Sequence, residues 1–170
     1  MRISRLAAAA TIVFVGLGPT VASAHRAGAV LPIAKLKVQA TAGGEPADIE
    51  LRENGDVYLR VAPKKEGWRV ARVAGSQVIA NDGSVLATLR LGGYLTVRGF
   101  EKTLRLRGCS LIDDEGTELR LTPNGEFWSK PRGQARFSLP AGVEGDFRRA
   151  CPTALLLYRM LPVFIGRGAG

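Results

Sequence analysis

The sequence predicts an all-β fold: an antiparallel meander of short hairpins, arranged as an open sheet, a sandwich or a small barrel, with a short C-terminal helix. Between residues 47 and 129, short apolar segments are separated by turns at intervals of roughly ten residues, a spacing typical of such folds. Four of these turns end in glycine, at residues 53–55, 81–83, 114–116 and 123–125. Their separations of 28, 33 and 9 residues do not indicate a solenoid with a fixed repeat.

The turn at residues 53–55 sets the register of the first hairpin. A two-residue loop at Asn54 and Gly55 would place the apolar residues of its two strands on opposite faces. A three-residue loop that ends in glycine instead pairs Leu51 with Val57, which keeps the apolar side chains on one face, as one-sided burial requires. Glycine suits the last position of this loop because it adopts a left-handed conformation without steric cost.

The same three-residue register applies to the turns at residues 114–116 and 123–125. Across the three hairpins, the further pairs that it predicts are Ile49 with Leu59, Leu111 with Leu119, Cys109 with Leu121, and Leu121 with Phe127. Around residues 81–83 both registers stay open, because residues 78–79 and 85–86 are apolar on both faces of their strands.

The first 24 residues have the pattern of an export signal. Arg2 and Arg5 precede an apolar stretch, residues 6–17, which is too short for a membrane span, and residues 22–24 supply the small side chains that a signal peptidase requires. The stretch has no twin-arginine pair, and no cysteine directly follows the cleavage point to carry a lipid. We therefore expect a Sec-type signal peptide and a bacterial protein that is periplasmic or secreted, without a transmembrane span after cleavage.

The rest of the chain divides into three parts. Residues 25–46 form a lead-in, with one strand within residues 30–39 and a loop at 40–46; residues 47–142 form the β-meander domain; residues 143–170 form a C-terminal helical segment and tail. Within the last two parts we expect a strand at 135–139, a helix at 153–161 and a frayed tail at 166–170. Pro152 falls near the start of the helix, where proline is tolerated, and Pro162 is expected to end it.

Two cysteines, Cys109 and Cys151, are the only ones in the chain. Disulfides persist in the compartments that exported proteins reach, so we expect these residues to form a disulfide that ties the meander to the C-terminal segment. The bridge would close a loop of about 43 residues. A metal site needs more ligands than two cysteines, and the only histidine, His25, lies at the expected new N-terminus. We expect no metal and no cofactor.

Residues 147–150 (Phe-Arg-Arg-Ala) run into residues 153–157 (Thr-Ala-Leu-Leu-Leu) after the turn-rich meander. This combination resembles uncharacterised secreted or lipid-anchored proteins of myxobacteria. In those proteins, short strands with Asp-Gly or Asn-Gly turns precede an arginine-rich segment and an apolar terminus. The resemblance covers residues 47–160 and implies location and fold, but no activity. The chain lacks the lipid-bearing cysteine of the anchored members.

The sequence lacks the residues of common catalytic sites. A serine or cysteine nucleophile activated by histidine needs a histidine in the fold, and His25 stands alone at a terminus. Asp113, Asp114 and Glu115 are adjacent at a hairpin tip, where carboxylates are solvated and serve turns rather than acid–base chemistry. Nor does their spacing match a calcium-binding loop. We expect a protein that is not an enzyme, with no catalytic residues.

Basic residues are the best indication of function. Without Arg2 and Arg5, the chain has 22 basic and 15 acidic residues, a net charge of +7. The residues that we select as candidates for binding an anionic ligand are Arg69, Arg72, Arg98, Lys102, Arg105 and Arg107. These six residues belong to two basic clusters of the sequence. The first consists of Lys64, Lys65, Arg69 and Arg72, and the second of Arg98, Lys102, Arg105 and Arg107. A third cluster consists of Lys130, Arg132 and Arg136.

Arg105 and Arg107 share a strand face, so a positive stripe on the sheet is expected. Such a stripe would bind anionic polysaccharide, lipid headgroups or extracellular DNA. An envelope protein is a further candidate partner of the chain. The other interpretation is an ordinary solvated face, on which arginine stems cover apolar surface. Trp68 and Trp128 lie near these clusters and are interpreted as core or edge packing.

Two hypotheses of different class follow. In the first, the protein is an exported, non-enzymatic module that binds an anionic partner through a basic sheet face. In the second, it is a structural or assembly protein whose apolar C-terminal segment docks on another chain or on a membrane surface. A helix at 153–161 with exposed leucines would favour the second hypothesis.

Overall fold

The computed structural model describes residues 29–168; the expected export signal, residues 1–24, lies outside them, as does His25. Within the described residues, the chain forms twelve strands and one α-helix. Their bounds are β1 (Leu36–Ala42), β2 (Glu45–Leu51), β3 (Asp56–Val61), β4 (Trp68–Ala74), β5 (Gln77–Ala80), β6 (Val85–Leu89), β7 (Tyr94–Val97), β8 (Leu104–Arg107), β9 (Ser110–Asp113), β10 (Glu118–Leu121), β11 (Glu126–Lys130), β12 (Phe137–Gly145) and α1 (Cys151–Gly168).

The twelve strands form one closed antiparallel barrel in which each strand pairs with its neighbours in the chain. The first and last strands complete the ring, where Leu36 lies opposite Gly145 and Val38 opposite Val143. Closure removes the unpaired strand edges that an open sheet would expose. The structure therefore confirms the predicted all-β meander with a C-terminal helix, and of the three predicted arrangements it has the barrel.

Glycine-ended turns have the registers that the sequence predicts. Leu51 lies opposite Val57 in the first hairpin, and the remaining strand pairs observed as predicted are Ile49 with Leu59, Leu111 with Leu119, and Leu121 with Phe127. The turn at residues 81–83 follows the same three-residue rule, since Ile79 lies opposite Val85. A bulge between Val78 and Ile79 then accommodates the apolar residues on both sides.

The prediction of a loop at residues 40–46 is wrong, because these residues belong to the hairpin formed by β1 and β2. Gly43 and Gly44 both have positive φ, at 60° and 90°, so they close a two-residue turn of the kind that suits hairpins. The strand expected within residues 30–39 accordingly lies later, at Leu36–Ala42. Residues 29–35 instead cover one end of the barrel, where Leu31 is 1% exposed and its N–H donates to Gly75 at 2.9 Å.

Strand β12 also extends beyond the expected residues 135–139, and it contains Pro140. A proline inside a barrel would normally remove a ladder hydrogen bond. Here the pairing with β11 skips from Ser138 to Gly142, and the pairing with β1 begins at Gly142. Pro140 therefore occupies an interruption in the ladder, where no N–H is required.

Helix α1 runs through the lumen of the barrel. It begins at Cys151, whose disulfide partner Cys109 lies in the turn between β8 and β9, with 5.4 Å between the two Cα atoms. We call this the disulfide end of the barrel. At the far end, Arg167 in the last helical turn pairs with Asp82 at 3.2 Å, in the turn between β5 and β6. A helix of 18 residues is about 27 Å long, enough to join the two ends.

The burial pattern of α1 agrees with this position. Ala154, Leu155, Leu156 and Leu157 are consecutive and all 0% exposed, so every side of that turn is covered. The helix also contacts strands from well-separated parts of the ring, β1, β2 and β4 as well as β9 and β10. Twelve strands enclose more space than side chains alone can fill, and the helix occupies it.

Two expectations about this segment need correction. The helix spans Cys151–Gly168 rather than residues 153–161, and Pro162 lies inside it instead of ending it. Phe164 is fully buried beyond the proline, and this burial offsets the lost backbone hydrogen bond. Because Leu155–Leu157 are buried in the barrel, α1 offers no exposed leucine face for docking in this conformation. Across residues 29–168, no helix has both the length and the apolar character required to cross a bilayer.

Two glycines with nearly the same backbone conformation provide a test of the turn geometry. Gly83 has a φ of 81° with open space around it, whereas a Cβ on Gly125, at φ 83°, would collide with the carbonyl oxygen of Val143. We expect Gly83→Ala to cost about 1–2 kcal/mol from left-handed strain alone. Gly125→Ala should cost about 1–3 kcal/mol more, because backbone must shift as well. Urea unfolding of both variants measures the difference; equal losses would contradict the close approach of β12 to this turn.

Candidate functional site

The six selected basic residues lie on three parts of the barrel. Arg69 and Arg72 are on β4, Arg98 and Lys102 are in the connection between β7 and β8, and Arg105 and Arg107 are on β8. Three strands separate β4 from β8 around the ring. The structure therefore brings four of the six residues to one region and places the β4 pair elsewhere.

On β8, alternation separates the two faces as expected. Leu104 and Leu106 point into the core, while Arg107 on the outer face is exposed. Arg105 is held against the barrel wall: its guanidinium lies 4.9 Å from the centre of the Tyr94 ring, and its Nε donates to the carbonyl of Gly92 at 3.1 Å. The predicted positive stripe is thus an outward-facing feature of this strand.

Two of the other four selected cations form ion pairs with carboxylates. Arg69 pairs with Asp56 at 3.4 Å. Lys102 donates to Glu115 at 2.6 Å, and hydrogen bonding to this carboxylate raises the pKa of Lys102. Arg69 and Lys102 are consequently less available to an external anion than their sequence suggests.

The register from β8 to β11 extends the basic face across the barrel wall. Arg107 lies opposite Ser110, Ser110 opposite Arg120, and Arg120 opposite Trp128. Arg107 and Arg120 are two strands apart, which corresponds to about 10 Å between their backbones. This row therefore presents two guanidinium groups and an indole on adjacent outward positions.

Beside this row, a cleft of about 360 Å³ lies between the outer face of β10 and β11 and the connection to β12. We call it the basic cleft; its lining residues are Glu118, Arg120, Trp128, Lys130, Gln134, Ala135 and Arg136. Three of the lining residues are cations and one is an acid. The cleft is small but within the range of ligand-binding sites, about 300–1,000 Å³.

Trp128 positions one of the cations of the basic cleft. The Arg136 guanidinium lies 5.0 Å from the centre of the Trp128 ring, and the indole N–H is directed towards Glu126, 3.4 Å away. Stacking of this kind keeps a guanidinium oriented while its N–H groups stay free for an anion. The expectation that Trp128 serves only in packing is incomplete, because the ring also supports Arg136.

The carboxylate of the basic cleft forms no ion pair with the cations of the cleft among the described residues. Glu118 accepts a hydrogen bond from the Ser110 hydroxyl at 2.6 Å. Within residues 29–168, the ion pairs closer than 4.0 Å do not include Arg120, Lys130 or Arg136. Three positive charges therefore stand against one carboxylate, and this excess of positive charge attracts an anion.

None of the six selected candidates lines the basic cleft. Lys130 and Arg136 belong to the third basic cluster, which was not selected. The cation that sequence reasoning missed altogether is Arg120. It stands alone between two leucines and belongs to none of the three basic clusters. The signal was nevertheless present: the predicted pairing of Leu121 with Phe127 also places Arg120 opposite Trp128. Among residues 29–168, no group of three or more acidic, histidine or cysteine side chains is placed to hold a metal ion.

Comparisons with known proteins give no match: no family model, no curated protein and no solved structure is similar to this chain at a significant level. A fold alone does not specify function, since barrels support many activities. Function is therefore inferred from the side chains of the barrel surface.

Proposed function

We propose that this chain is an exported bacterial protein, periplasmic or secreted, that catalyses no reaction and binds an anionic partner through the outer face of β8–β11. The observation that carries the proposal is the basic cleft, in which Arg120, Lys130 and Arg136 have no carboxylate within ion-pair distance among the described residues. The Cys109–Cys151 disulfide supports the proposal that the protein is exported, because disulfides persist outside the cytosol.

The physical basis is electrostatic. Three like charges near one another repel, and an anion that binds among them relieves this repulsion while gaining charge-assisted hydrogen bonds. Two of the cations project from strands of a closed barrel, and the third is supported by Trp128. The Trp128 ring holds the Arg136 guanidinium in place beforehand, so less conformational entropy is lost at this residue on binding.

Retention of the oxidised mature protein on a polyanion column tests the proposal. The triple variant Arg120→Gln, Lys130→Gln, Arg136→Gln should bind at least about tenfold more weakly at low salt, because charge-assisted contacts are lost. A matched control removes the same charge from the other side of the ring, with Lys64→Gln, Lys65→Gln and Arg72→Gln. The control should elute close to the unaltered protein.

A third variant, Arg105→Ser with Arg107→Ser, measures how far the binding face extends along the wall. We expect an intermediate loss, since these residues adjoin the basic cleft without lining it. If the cleft variant and the control shift by the same amount, retention reflects net charge alone, and the barrel has an ordinary solvated surface.

A further inference from the structure

We propose that the basic cleft recognises an acidic sugar, a uronate unit of an anionic polysaccharide. This inference rests on the proposed function, because it names the class of anion that the same site binds. It depends on three features of the site: the covered aromatic rings, the mixed charge of the lining, and the position of further cations along the wall.

Each of the two aromatic rings on this face has an arginine guanidinium against it. Proteins that bind single-stranded nucleic acid present aromatic platforms to successive bases. Here the Tyr94 ring carries the Arg105 guanidinium at 4.9 Å, and the Trp128 ring carries the Arg136 guanidinium at 5.0 Å. The rings orient cations, and the cations are what an approaching ligand meets.

The lining of the basic cleft suits a ligand that has both hydroxyl groups and a negative charge. A DNA phosphodiester backbone offers acceptors only, so it has no group that can donate a hydrogen bond to Glu118. A uronate has hydroxyl groups that can donate to Glu118, and its carboxylate can accept from Arg120, Lys130 or Arg136. The Gln134 amide can serve as donor or acceptor to the same hydroxyls. Glu118 thus becomes a selectivity residue, favourable for an acidic sugar and unfavourable for a nucleic acid.

The wall beside the cleft can follow a longer polymer. Arg107 and Arg105 lie on β8, two strands from Arg120 and on the same outer face. The cleft, at about 360 Å³, holds only a short part of a polysaccharide, so neighbouring acidic units would reach these cations.

The test compares two polyanions on the oxidised mature protein. A Trp68→Phe background leaves Trp128 as the fluorescent reporter, and the probes are a short oligogalacturonate and a single-stranded oligothymidylate of equal charge. We expect the oligogalacturonate to bind at least about tenfold more tightly, the value of one charge-assisted hydrogen bond. Equal or tighter binding of the oligothymidylate would overturn the inference in favour of nucleic acid.

Glu118→Gln provides the sharper readout because its effect has opposite signs for the two probes. Removing the negative charge should tighten the oligothymidylate, whereas losing the charged acceptor should weaken the oligogalacturonate by about tenfold. Tighter binding of both probes would overturn the inference. Ser110→Ala serves as a control, because it removes the hydrogen bond to Glu118 and keeps the carboxylate.

The two proposals fail in different ways. If the protein is not retained on any polyanion column, both the proposed function and this inference are wrong. If retention depends on Arg120, Lys130 and Arg136 but Glu118→Gln tightens both probes, only the choice of an acidic sugar is wrong.

Discussion

Replacing both cysteines, Cys109→Ala with Cys151→Ala, is expected to lower the free energy of unfolding by about 4 kcal/mol. The bridge joins residues 42 positions apart, and in the chain-entropy model a closed loop of this size restricts the unfolded chain by about that amount. Alanine is chosen instead of serine because Cys151 is buried at the start of α1, where a serine hydroxyl would lack a hydrogen-bond partner.

Urea unfolding of the oxidised protein and of the double variant measures this loss. Reduction of the unaltered protein should give a similar loss, since it opens the same loop. A difference below about 1 kcal/mol would show that α1 stays in the lumen without its covalent tie, and that the bridge adds little to what packing already provides.

Phe127→Ala should be comparably destabilising, by about 3–5 kcal/mol, as is typical of a buried phenylalanine. Phe127 is 0% exposed, and its ring stacks on Tyr158 of α1 with 4.4 Å between the ring centres. The substitution removes a contact between the barrel wall and the helix and leaves a cavity between them.

Phe137→Ala is the matched control, because Phe137 is the same residue type on the next strand but is 47% exposed. We expect it to cost less than about 1 kcal/mol, within the range of surface substitutions. Similar losses for the two variants would contradict a helix packed inside the barrel against β11.

Much of the barrel could be predicted because its hairpins are determined locally. A glycine-ended turn specifies which residues lie opposite each other, and one-sided burial then selects the register, as for Leu51 and Val57. The same logic failed at residues 40–46, where Gly43 and Gly44 resemble a flexible linker in composition yet form a tight turn.

The closure of the sheet and the position of α1 depend on contacts between distant parts of the chain. The pairing of β1 with β12 joins residues more than 100 positions apart, and no local pattern indicates it. For α1, the consecutive leucines at residues 155–157 are equally compatible with a helix on a surface and a helix in a lumen. Pro162 illustrates the same limit, since its local preference to end a helix is outweighed by burial of Phe164.

The candidate site was predictable where it follows strand alternation. Arg105 and Arg107 lie on one outer face, as expected. The order of strands around the closed ring decides which basic clusters lie next to one another. In this ring, three strands lie between β4, which carries Arg69 and Arg72, and β8. Arg120 and Arg136 meet at Trp128 only after β10, β11 and the connection to β12 are in place.

The measurement that tests the central claim most directly is a map of backbone amide and indole N–H chemical shifts of the oxidised mature protein during titration with a short polyanion. Oligogalacturonate and inorganic polyphosphate serve as separate probes. We predict that the shifts concentrate on β8–β11, including Arg107, Arg120 and the indole N–H of Trp128. Shifts centred on β4 around Arg69 and Arg72, or spread evenly over all basic residues, would contradict an anion-binding site at the basic cleft.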